Sequence, residues 1–211
     1  MPQFYDGGRL LSQMDINGNK PEIYMCTANN SAGKTTWFNR WTIKKFKERG
    51  ELFMLLYRFS YELDGVEEQF FSDIKGLFFP DDEMTAKKRD KGIYSELFLN
   101  GERCGFAVAL NLADQIKKKS HLFNKVSSML MDEFQSETNH YCTDEVNKLI
   151  AIHKAVARGN GEQSRYVPIY MIGNPVSILN PYYSALGISS RLNSQVRFLK
   201  GDGWVLEQGF N

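Results

Sequence analysis

The sequence predicts an α/β fold in which a mainly parallel central sheet is flanked by helices. Two apolar stretches of strand length, residues 22–27 and 126–131, each end in polar residues suited to phosphate chemistry. A third stretch, residues 52–59, is apolar without alternation, as in strands that are buried on both faces of a parallel sheet. Helical patterns follow the first and third stretches, and this succession of strands and helices is typical of α/β proteins.

The loop after the first stretch carries a phosphate-binding pattern. It fits G-x-x-x-x-G-K-[ST], the Walker A pattern, except at its first position, where alanine replaces glycine. Such a loop wraps backbone N–H groups around phosphates at the positive end of a helix; its lysine reaches the terminal phosphates and its threonine binds Mg²⁺. We therefore expect a P-loop nucleotide site built from Ala28, Asn29, Asn30, Ser31, Ala32, Gly33, Lys34, Thr35 and Thr36.

The substitution at Ala28 weakens the match, but two asparagines follow it directly. Asn29 and Asn30 are of the non-glycine type that most readily adopts left-handed backbone, so the sequence predicts that this loop still turns. The remaining alternative is a helix N-terminus that has Gly-Lys-Thr by chance.

Composition bounds the class of protein. The 211 residues suffice for one large domain, and 42% apolar residues support a real core. A net charge of +1 is too small to indicate nucleic-acid binding by bulk electrostatics, so such binding requires a local patch. Three scattered cysteines favour a reducing compartment, and no apolar run approaches the ~20 residues of a membrane span. We expect a soluble intracellular protein with no membrane partner.

The first twenty residues are polar and rich in turns. Asn17-Gly18 is compatible with a small hairpin, and an irregular arm packed on the core fits equally well. Tyr5 and Arg9 lie close enough to the phosphate loop in sequence to contact a nucleobase; the alternative is that both are plain surface residues.

The next segment pairs a helix with the third apolar stretch. Periodicity predicts a helix over 35–49 with Trp37, Trp41 and Phe46 on its buried side. Arg58 stands near the carboxyl end of the strand over 52–59. Ligands of open α/β sheets bind at such ends, so Arg58 either faces the nucleotide or forms a salt bridge.

The middle of the chain is predicted to contain a helix over 66–79, a charged loop over 80–92 and a hairpin. The loop includes Lys87-Lys88-Arg89, which is a candidate contact for nucleic acid and otherwise solvated surface. The hairpin is indicated by Asn100-Gly101 between two strand patterns. A short helix over 113–120 follows.

Asp132-Glu133 after the second apolar stretch is the other half of an NTP-hydrolysing site. Asp132 is predicted to hold Mg²⁺, and Glu133 to orient or deprotonate the water that attacks the γ-phosphate. The intervening strands suit a sheet in which this metal strand lies beside the loop strand.

The last third of the chain contains a predicted helix, a strand and a short tail. The helix spans 145–158, with five inward residues, Val146, Leu149, Ile150, Ile152 and Val156. Arg158 at its end either projects toward a neighbouring subunit or merely suits the helix dipole, and the residues alone favour the second reading. Asn174 follows a strand over 166–172, where it can sense the γ-phosphate or form part of a turn. Strand patterns at 195–199 and 203–206 precede an abrupt end, which is typical of a fragment.

Two segments resemble a known family. Asp132-Glu133-Phe134 and the block Gly-Asn-Pro-Val-Ser-Ile-Leu-Asn-Pro-Tyr at 173–182 are similar to the DNA-encapsidation ATPases of phi-twenty-nine-like small tailed phages. The resemblance covers residues 23–205. Its most specific part is Asn-x-Val-Ser-φ-x-Asn-Pro-Tyr, where φ is apolar, and Lys119-Ser120 also matches at the family's spacing. The family consists of additional-strand, catalytic-glutamate P-loop ATPases with a RecA-like fold.

The resemblance implies roles for the residues of the site. Lys34 and Thr35 match the phosphate and Mg²⁺ positions, and Asp132 and Glu133 match the metal-holding and catalytic acids. Arg158 matches an arginine offered across the subunit interface, Lys119 matches a second basic residue acting in trans, and Asn174 matches the residue that couples γ-phosphate state to motion. Ala28 departs from the family's glycine.

The resemblance also implies partners and place. It predicts ATP and Mg²⁺ as cofactors, sequence-independent contact with double-stranded DNA, a homo-oligomeric ring, and a procapsid portal with a possible structural RNA. The predicted location is the host cytoplasm and, transiently, the procapsid. Residues 1–211 would form a single ATPase domain, with 1–20 as an N-terminal arm and 181–211 as an edge or link to a further domain. The alternatives are a small-molecule P-loop kinase and a nucleotide-dependent switch.

Overall fold

The computed structural model of the chain describes residues 4–29, 32–159 and 163–210. Six α-helices and nine strands lie within these ranges. In chain order they are α1 (Gly8–Leu11), β1 (Ile23–Ala28), α2 (Lys34–Arg49), β2 (Leu52–Tyr57), α3 (Val66–Phe78), β3 (Met84–Arg89), β4 (Tyr94–Leu99), β5 (Glu102–Ala109), α4 (Ala113–Lys117), β6 (Val126–Asp132), α5 (Glu145–Arg158), β7 (Ile169–Gly173), α6 (Pro181–Leu186), β8 (Phe198–Gly201) and β9 (Trp204–Phe210). None of the helices in these ranges is both long and apolar enough to cross a bilayer.

The strands form one mostly parallel sheet in the order β3-β4-β5-β2-β6-β7-β1-β9-β8. β1 runs parallel to β7 and β9, and β2 runs parallel to β5 and β6. The antiparallel pairs, β3 with β4, β4 with β5 and β8 with β9, are the outer ones. The predicted α/β class is therefore confirmed. The expectation that the metal strand lies beside the loop strand is wrong, because β7 comes between β6 and β1 in the sheet.

The chain divides into two compact units that are interleaved in sequence. The first draws on the segments Met1–Phe38, Met131–Tyr141 and Pro168–Asn211, so it contains β1, β7, β9 and β8 together with the start of α2. Its core is built on β1, where Met25 and Cys26 are fully buried, and on Phe38 at the start of the helix. Burial raises the pKa of the Cys26 thiol to about 12, so this cysteine behaves as an apolar core residue.

The second unit comprises Asn39–Leu130 and Cys142–Val167. Its strands β2 and β5 are apolar and buried through their middles, and Phe106 packs edge-on against Phe123 at 4.9 Å between ring centroids. Helix α5 has the predicted bounds and buries Leu149, Ile152 and Val156. Ile150, which was predicted to face inward, is 40% exposed because it lies outside that stripe.

Residues 80–92 contain strand β3, whereas the sequence predicts a loop. The segment Met84–Arg89 pairs antiparallel with β4 at the edge of the sheet, and its charged side chains are mostly exposed. Lysines are common on edge strands because they discourage pairing with other chains, and here they mask the strand pattern. The charges have partners within the unit: Lys88 pairs with Asp64, and Arg89 donates to Glu96 at 3.3 Å.

Most of the other local predictions are confirmed. Asn100 and Gly101 both have positive φ, as the tight turn between β4 and β5 requires. The helix predicted after the phosphate loop extends from Lys34 to Arg49, but its two tryptophans are only half-buried, and Phe38 takes the buried position. Helix α6 has no counterpart in the predictions.

Apart from the single helical turn α1, the described part of the N-terminal arm is irregular and packs on the core of the first unit, as in the second of the two alternatives. Tyr5 is buried, its ring contacts Trp37 and Phe38, and its hydroxyl donates to Glu207 at 2.8 Å. Tyr5 is therefore neither a surface residue nor free to contact a base. Arg9 is exposed on α1.

The close approach of β5 to β2 gives a test of the core of the second unit. A Cβ at Gly105 would overlap the carbonyl oxygen of Phe53 on the neighbouring strand. We expect Gly105→Ala to lower the free energy of unfolding by about 1–3 kcal/mol, as overpacking does. Gly76 in α3 is the matched control, because a Cβ there meets nothing within 4 Å. Gly76→Ala should raise stability by about 0.5–1 kcal/mol, and urea denaturation of both variants measures the difference.

Candidate functional site

Lys34 is the centre of the polar cluster in the first unit. It is the first residue of α2 and is only 6% exposed. Its ammonium donates to the carbonyl oxygens of Ala28 at 2.8 Å and Asn29 at 3.2 Å, and to the side-chain oxygen of Asn174 at 3.1 Å. A lysine ammonium has three N–H donors, so these three bonds account for all of them.

The charges of the cluster perturb one another. Burial lowers the pKa of Lys34, while the nearby Asp132 carboxylate acts to raise it. Asp132 lies at the exposed end of β6, yet crowding by surrounding protein atoms raises the pKa of its carboxyl. The Thr35 hydroxyl, the Glu133 N–H and the Lys34 charge oppose that rise. A cation bound here would also favour the ionised carboxylate.

The phosphate loop turns at its glycine. Gly33 has φ +87°, which is accessible to glycine and costly for other residues. Ala28 ends strand β1 and, like Asn29, does not adopt a positive φ in the described structure. The alanine that replaces the pattern's first glycine therefore imposes no strain, and the loop turns at Gly33 without a left-handed conformation at Asn29. Asn30 and Ser31 lie outside the described residues.

The rest of the loop is tied to neighbouring segments. The carbonyl oxygen of Ala32 accepts a hydrogen bond from the backbone N–H of Tyr5 at 3.0 Å, so the N-terminal arm supports the loop. Thr36 is half-buried in the first turn of α2.

Thr35 and the acidic pair meet directly. The Thr35 hydroxyl donates to Asp132 Oδ2 at 2.9 Å, although 97 residues separate them in the chain. The other carboxylate oxygen accepts the Glu133 backbone N–H at 2.8 Å. Glu133 has φ +55°, an uncommon left-handed conformation for a side chain of this size. Such strain persists only where the surrounding structure imposes it, and it is frequent at functional sites.

The residues around the acidic pair explain the specific block at 173–182. The backbone N–H of Phe134 donates to Ile172, and its buried ring packs edge-on against Tyr182 at 5.9 Å. Asn180 caps α6 by accepting from the Tyr183 N–H at 3.0 Å, and Pro181 occupies the first helical turn. Asn-Pro-Tyr is therefore a helix start whose tyrosine supports the segment that carries Asp132.

Two residues that the sequence did not single out complete the cluster. Gln135, 2% exposed, accepts the backbone N–H groups of Val176 and Ser177 at 2.9 and 3.0 Å. Glu137 accepts from the side-chain amide of Asn174 at 2.9 Å. Their partners lie 37 to 42 residues away, so no local pattern reveals these contacts.

The other predicted site residues belong to the second unit. Arg58 forms a buried ion pair with Glu145 at 2.8 Å, which is the salt-bridge alternative of the sequence, and its contact with a nucleotide stays a prediction. Lys119 pairs with Asp90. Arg158 is exposed at the end of α5, before Gly159, and residues 160–162 lie outside the described part of the chain.

A mostly parallel α/β sheet with a Gly-Lys-Thr loop between its strand and helix is the architecture of P-loop ATPase domains. Residues 3–202 match the family model of the Podovirus DNA encapsidation protein (Gp16), and the chain belongs to this family.

A curated relative and two solved structures are similar to this chain. The DNA packaging protein of Bacillus phage B103 is 28% identical over 170 residues, which cover 80% of this chain and 49% of the relative, so the chain spans about half of that protein's length. The N-terminal domain of the DNA packaging ATPase from bacteriophage phi29 has a TM-score of 0.76 at 24% identity, covering 97% of this chain and 95% of that one. The phi29 genome packaging motor assembly gives 0.72 at 23% identity, with 97% and 56% coverage. These structural likenesses show the fold.

The buried Gln135 allows a test of how the Asn174–Ser177 segment is held. Gln135→Ala leaves two backbone N–H groups without their acceptor, so we expect stability to fall by about 1–3 kcal/mol. Amide hydrogen exchange at Val176 and Ser177 should accelerate as well. Gln13→Ala is the control, because the half-buried side chain of Gln13 donates to the Arg9 carbonyl at 3.2 Å and accepts no backbone N–H from the Asn174–Ser177 segment. Unchanged exchange at both amides would contradict the assigned role of Gln135.

Proposed function

We propose that this chain is the ATPase domain of a viral motor that packages double-stranded DNA. In this proposal it hydrolyses ATP within a homo-oligomeric ring and moves the genome into a procapsid. The observation that carries the proposal is the hydrogen-bonded cluster of Lys34, Thr35, Asp132 and Asn174 in a chain of the DNA encapsidation family. A single ATPase domain over 1–211, with 181–211 as its edge or a link, belongs to the same proposal.

The phosphate loop would bind the triphosphate of ATP. The three N–H groups of Lys34 donate hydrogen bonds to Ala28, Asn29 and Asn174. When ATP binds, phosphate oxygens would replace some of these acceptors. The loop N–H groups at the start of α2 would bind the remaining phosphate oxygens.

Thr35 and Asp132 fit Mg²⁺ by the chemistry of their donors. Both present hard oxygen ligands 2.9 Å apart, and Mg²⁺ commonly takes one or two protein oxygens beside substrate phosphates and water. When bound, Mg²⁺ supplies charge neutralisation at the β- and γ-phosphates.

Glu133 would act as the general base. Its carboxylate takes a proton from a water as that water attacks the γ-phosphorus, and the bond to the ADP oxygen breaks. The adjacent Asp132 and Glu133 favour water as the acceptor over a small-molecule substrate, and this supports an ATPase over the kinase alternative.

Arg158 would serve the site of a neighbouring subunit. The carbonyl of Val156 in the last turn of α5 already accepts a bond from Arg165 at 3.0 Å, so another cation serves this helix end. Arg158 is exposed beyond it and can extend outward. Lys119 is a second candidate of this kind, although it now pairs with Asp90.

DNA contact in such a motor would be sequence-independent, because phosphate contacts carry no sequence information. Lys87, Lys88 and Arg89 on β3 are exposed candidates for it, although Lys88 and Arg89 already have acidic partners. By resemblance to the family, we also propose that the chain contacts a procapsid portal and a structural RNA. Its location would be the host cytoplasm and, transiently, the procapsid.

The proposed ATPase predicts two distinct defects. Lys34→Ala should abolish ATP turnover, and Glu133→Gln should retain bound ATP while its turnover falls on the order of 10²-fold or more. Steady-state hydrolysis with and without double-stranded DNA, and the nucleotide content of purified protein, measure both. Lys44→Ala is the control, because Lys44 is an exposed lysine of the same helix with a surface partner, Glu48. Near wild-type turnover in either site variant would reject the assignment.

The role of Arg158 predicts complementation between two inactive proteins. In a mixture of Glu133→Gln and Arg158→Ala, some interfaces pair an intact Glu133 with a neighbour's intact Arg158. Because an arginine supplied to the γ-phosphate is worth roughly 10³-fold or more, partial recovery of hydrolysis is expected. Wild-type activity per molecule should also rise with protein concentration.

The matched control is Arg49→Ala, which removes an exposed arginine from the end of α2. Arg49→Ala should retain ATP hydrolysis when it is assayed by itself, without a second variant in the mixture. If the mixture recovers nothing while both inactive variants assemble and bind ATP, Arg158 does not act in trans.

A further inference from the structure

The side-chain amide of Asn174 is held from both ends within the first unit. Its oxygen accepts from the Lys34 ammonium at 3.1 Å, and its nitrogen donates to Glu137 Oε1 at 2.9 Å. Asn174 directly follows β7, and Glu137 lies five residues after Asp132. Glu137 is exposed at the surface of this cluster.

The chemistry of the two partners determines which way the amide points. An ammonium only donates hydrogen bonds, so it must face the amide oxygen. An ionised carboxylate only accepts, so it must face the amide nitrogen. The orientation of Asn174 is therefore set by its partners. Reversing it would place the amide N–H groups against the Lys34 ammonium and the amide oxygen against the Glu137 carboxylate.

This orientation is the wrong one for an anion beside Lys34. Phosphate oxygens accept hydrogen bonds, whereas Asn174 presents its own acceptor to the lysine and donates one of its two N–H groups to Glu137. For Asn174 to donate to a phosphate from the side that now faces Lys34, its amide must turn over, and this turn breaks the bond to Glu137.

We propose that Glu137 is a positioning residue that holds the Asn174 amide away from the terminal phosphate until ATP binds. The inference deepens the proposed function, because it takes the cluster to be an ATP site. Part of the binding free energy of ATP then breaks the Glu137–Asn174 bond. ADP lacks the γ-phosphate, so it leaves that bond in place.

The neighbouring contacts give this bond a structural consequence. Gln135, two residues before Glu137, accepts the N–H groups of Val176 and Ser177, two and three residues after Asn174. The segment after Asp132 thus holds the segment after β7 at two places. Breaking the Glu137 bond releases Asn174 while Gln135 keeps the adjoining backbone fixed, so the response is confined to the amide.

The test measures nucleotide affinity in Glu137→Ala. A hydrolysis-resistant ATP analogue with a β,γ-imido bridge, added with Mg²⁺, should bind roughly tenfold tighter than to wild type, the size expected for one hydrogen bond to a charged group. The affinity for ADP should change less than twofold. Glu22→Ala removes another exposed carboxylate of the same unit and should leave both affinities unchanged.

A double-mutant cycle separates positioning from a structural effect. If Glu137 acts through Asn174, the tighter binding of the analogue disappears when Glu137→Ala is made in an Asn174→Ala background. Tightening that persists there, or no tightening in the single variant, overturns the inference. Glu137→Gln keeps a neutral acceptor and should tighten analogue binding only about threefold, so it carries the same cycle if the alanine variant does not fold.

The wild-type measurements distinguish the two levels of the argument. Wild type that binds neither the analogue nor ADP rejects the proposed function, and the role of Glu137 falls with it. Wild type that binds both, with no selective gain in Glu137→Ala, rejects only the role of Glu137.

Discussion

The hydrogen bond from Thr35 to Asp132 is the constraint on which the candidate site depends. It joins the first turn of α2 to the end of β6, two segments that are 97 residues apart in sequence. Both groups are oxygen donors of the kind that Mg²⁺ prefers, so the same pair that binds internally here can share a cation. Lys34, next to Thr35, satisfies its three N–H groups with loop carbonyls and Asn174. The three N–H groups of Lys34 are thus satisfied within the protein, and phosphate binding by this lysine would be an exchange of hydrogen-bond partners.

The support beneath this cluster consists mostly of buried apolar and amide groups. Phe134 anchors the acidic pair by packing against Tyr182, and Gln135 fixes the backbone after Asn174. Glu133, with its positive φ, lies between two firmly held neighbours, Asp132 and Phe134. A strained conformation is maintained in this way only when the flanking residues cannot relax. The residues that hold the site therefore matter as much to its geometry as those that would touch a nucleotide.

Two basic residues of the second unit that the sequence suggests as nucleotide contacts, Arg58 and Lys119, have acidic partners within that unit. Arg58 and Glu145 form a buried pair, and a buried guanidinium needs such compensation because removing a charge from water is costly. Lys119 likewise pairs with Asp90. Arg158 differs from them, since it is exposed and Arg165 already contacts the carbonyls at the end of its helix. The chain belongs to the DNA encapsidation family over residues 3–202. The exposure of Arg158 is therefore relevant to the proposed role of this arginine at a neighbouring subunit.

The sequence by itself determined the features that depend on neighbouring residues. Gly33 with Lys34 and Thr35 marked the loop, Asn100-Gly101 marked a hairpin, and apolar spacing together with the glycine after Arg158 marked α5, because backbone preference and side-chain period act over a few residues. Tertiary structure alone decided what depends on distant partners. Strand β7 enters the sheet between β6 and β1, charged β3 becomes an edge strand, Tyr5 is buried, and Glu137 meets Asn174. Each of these features depends on residues that are distant in the chain, and no pattern of neighbouring residues indicates such a contact. Packing and the pairing of polar groups therefore determine them.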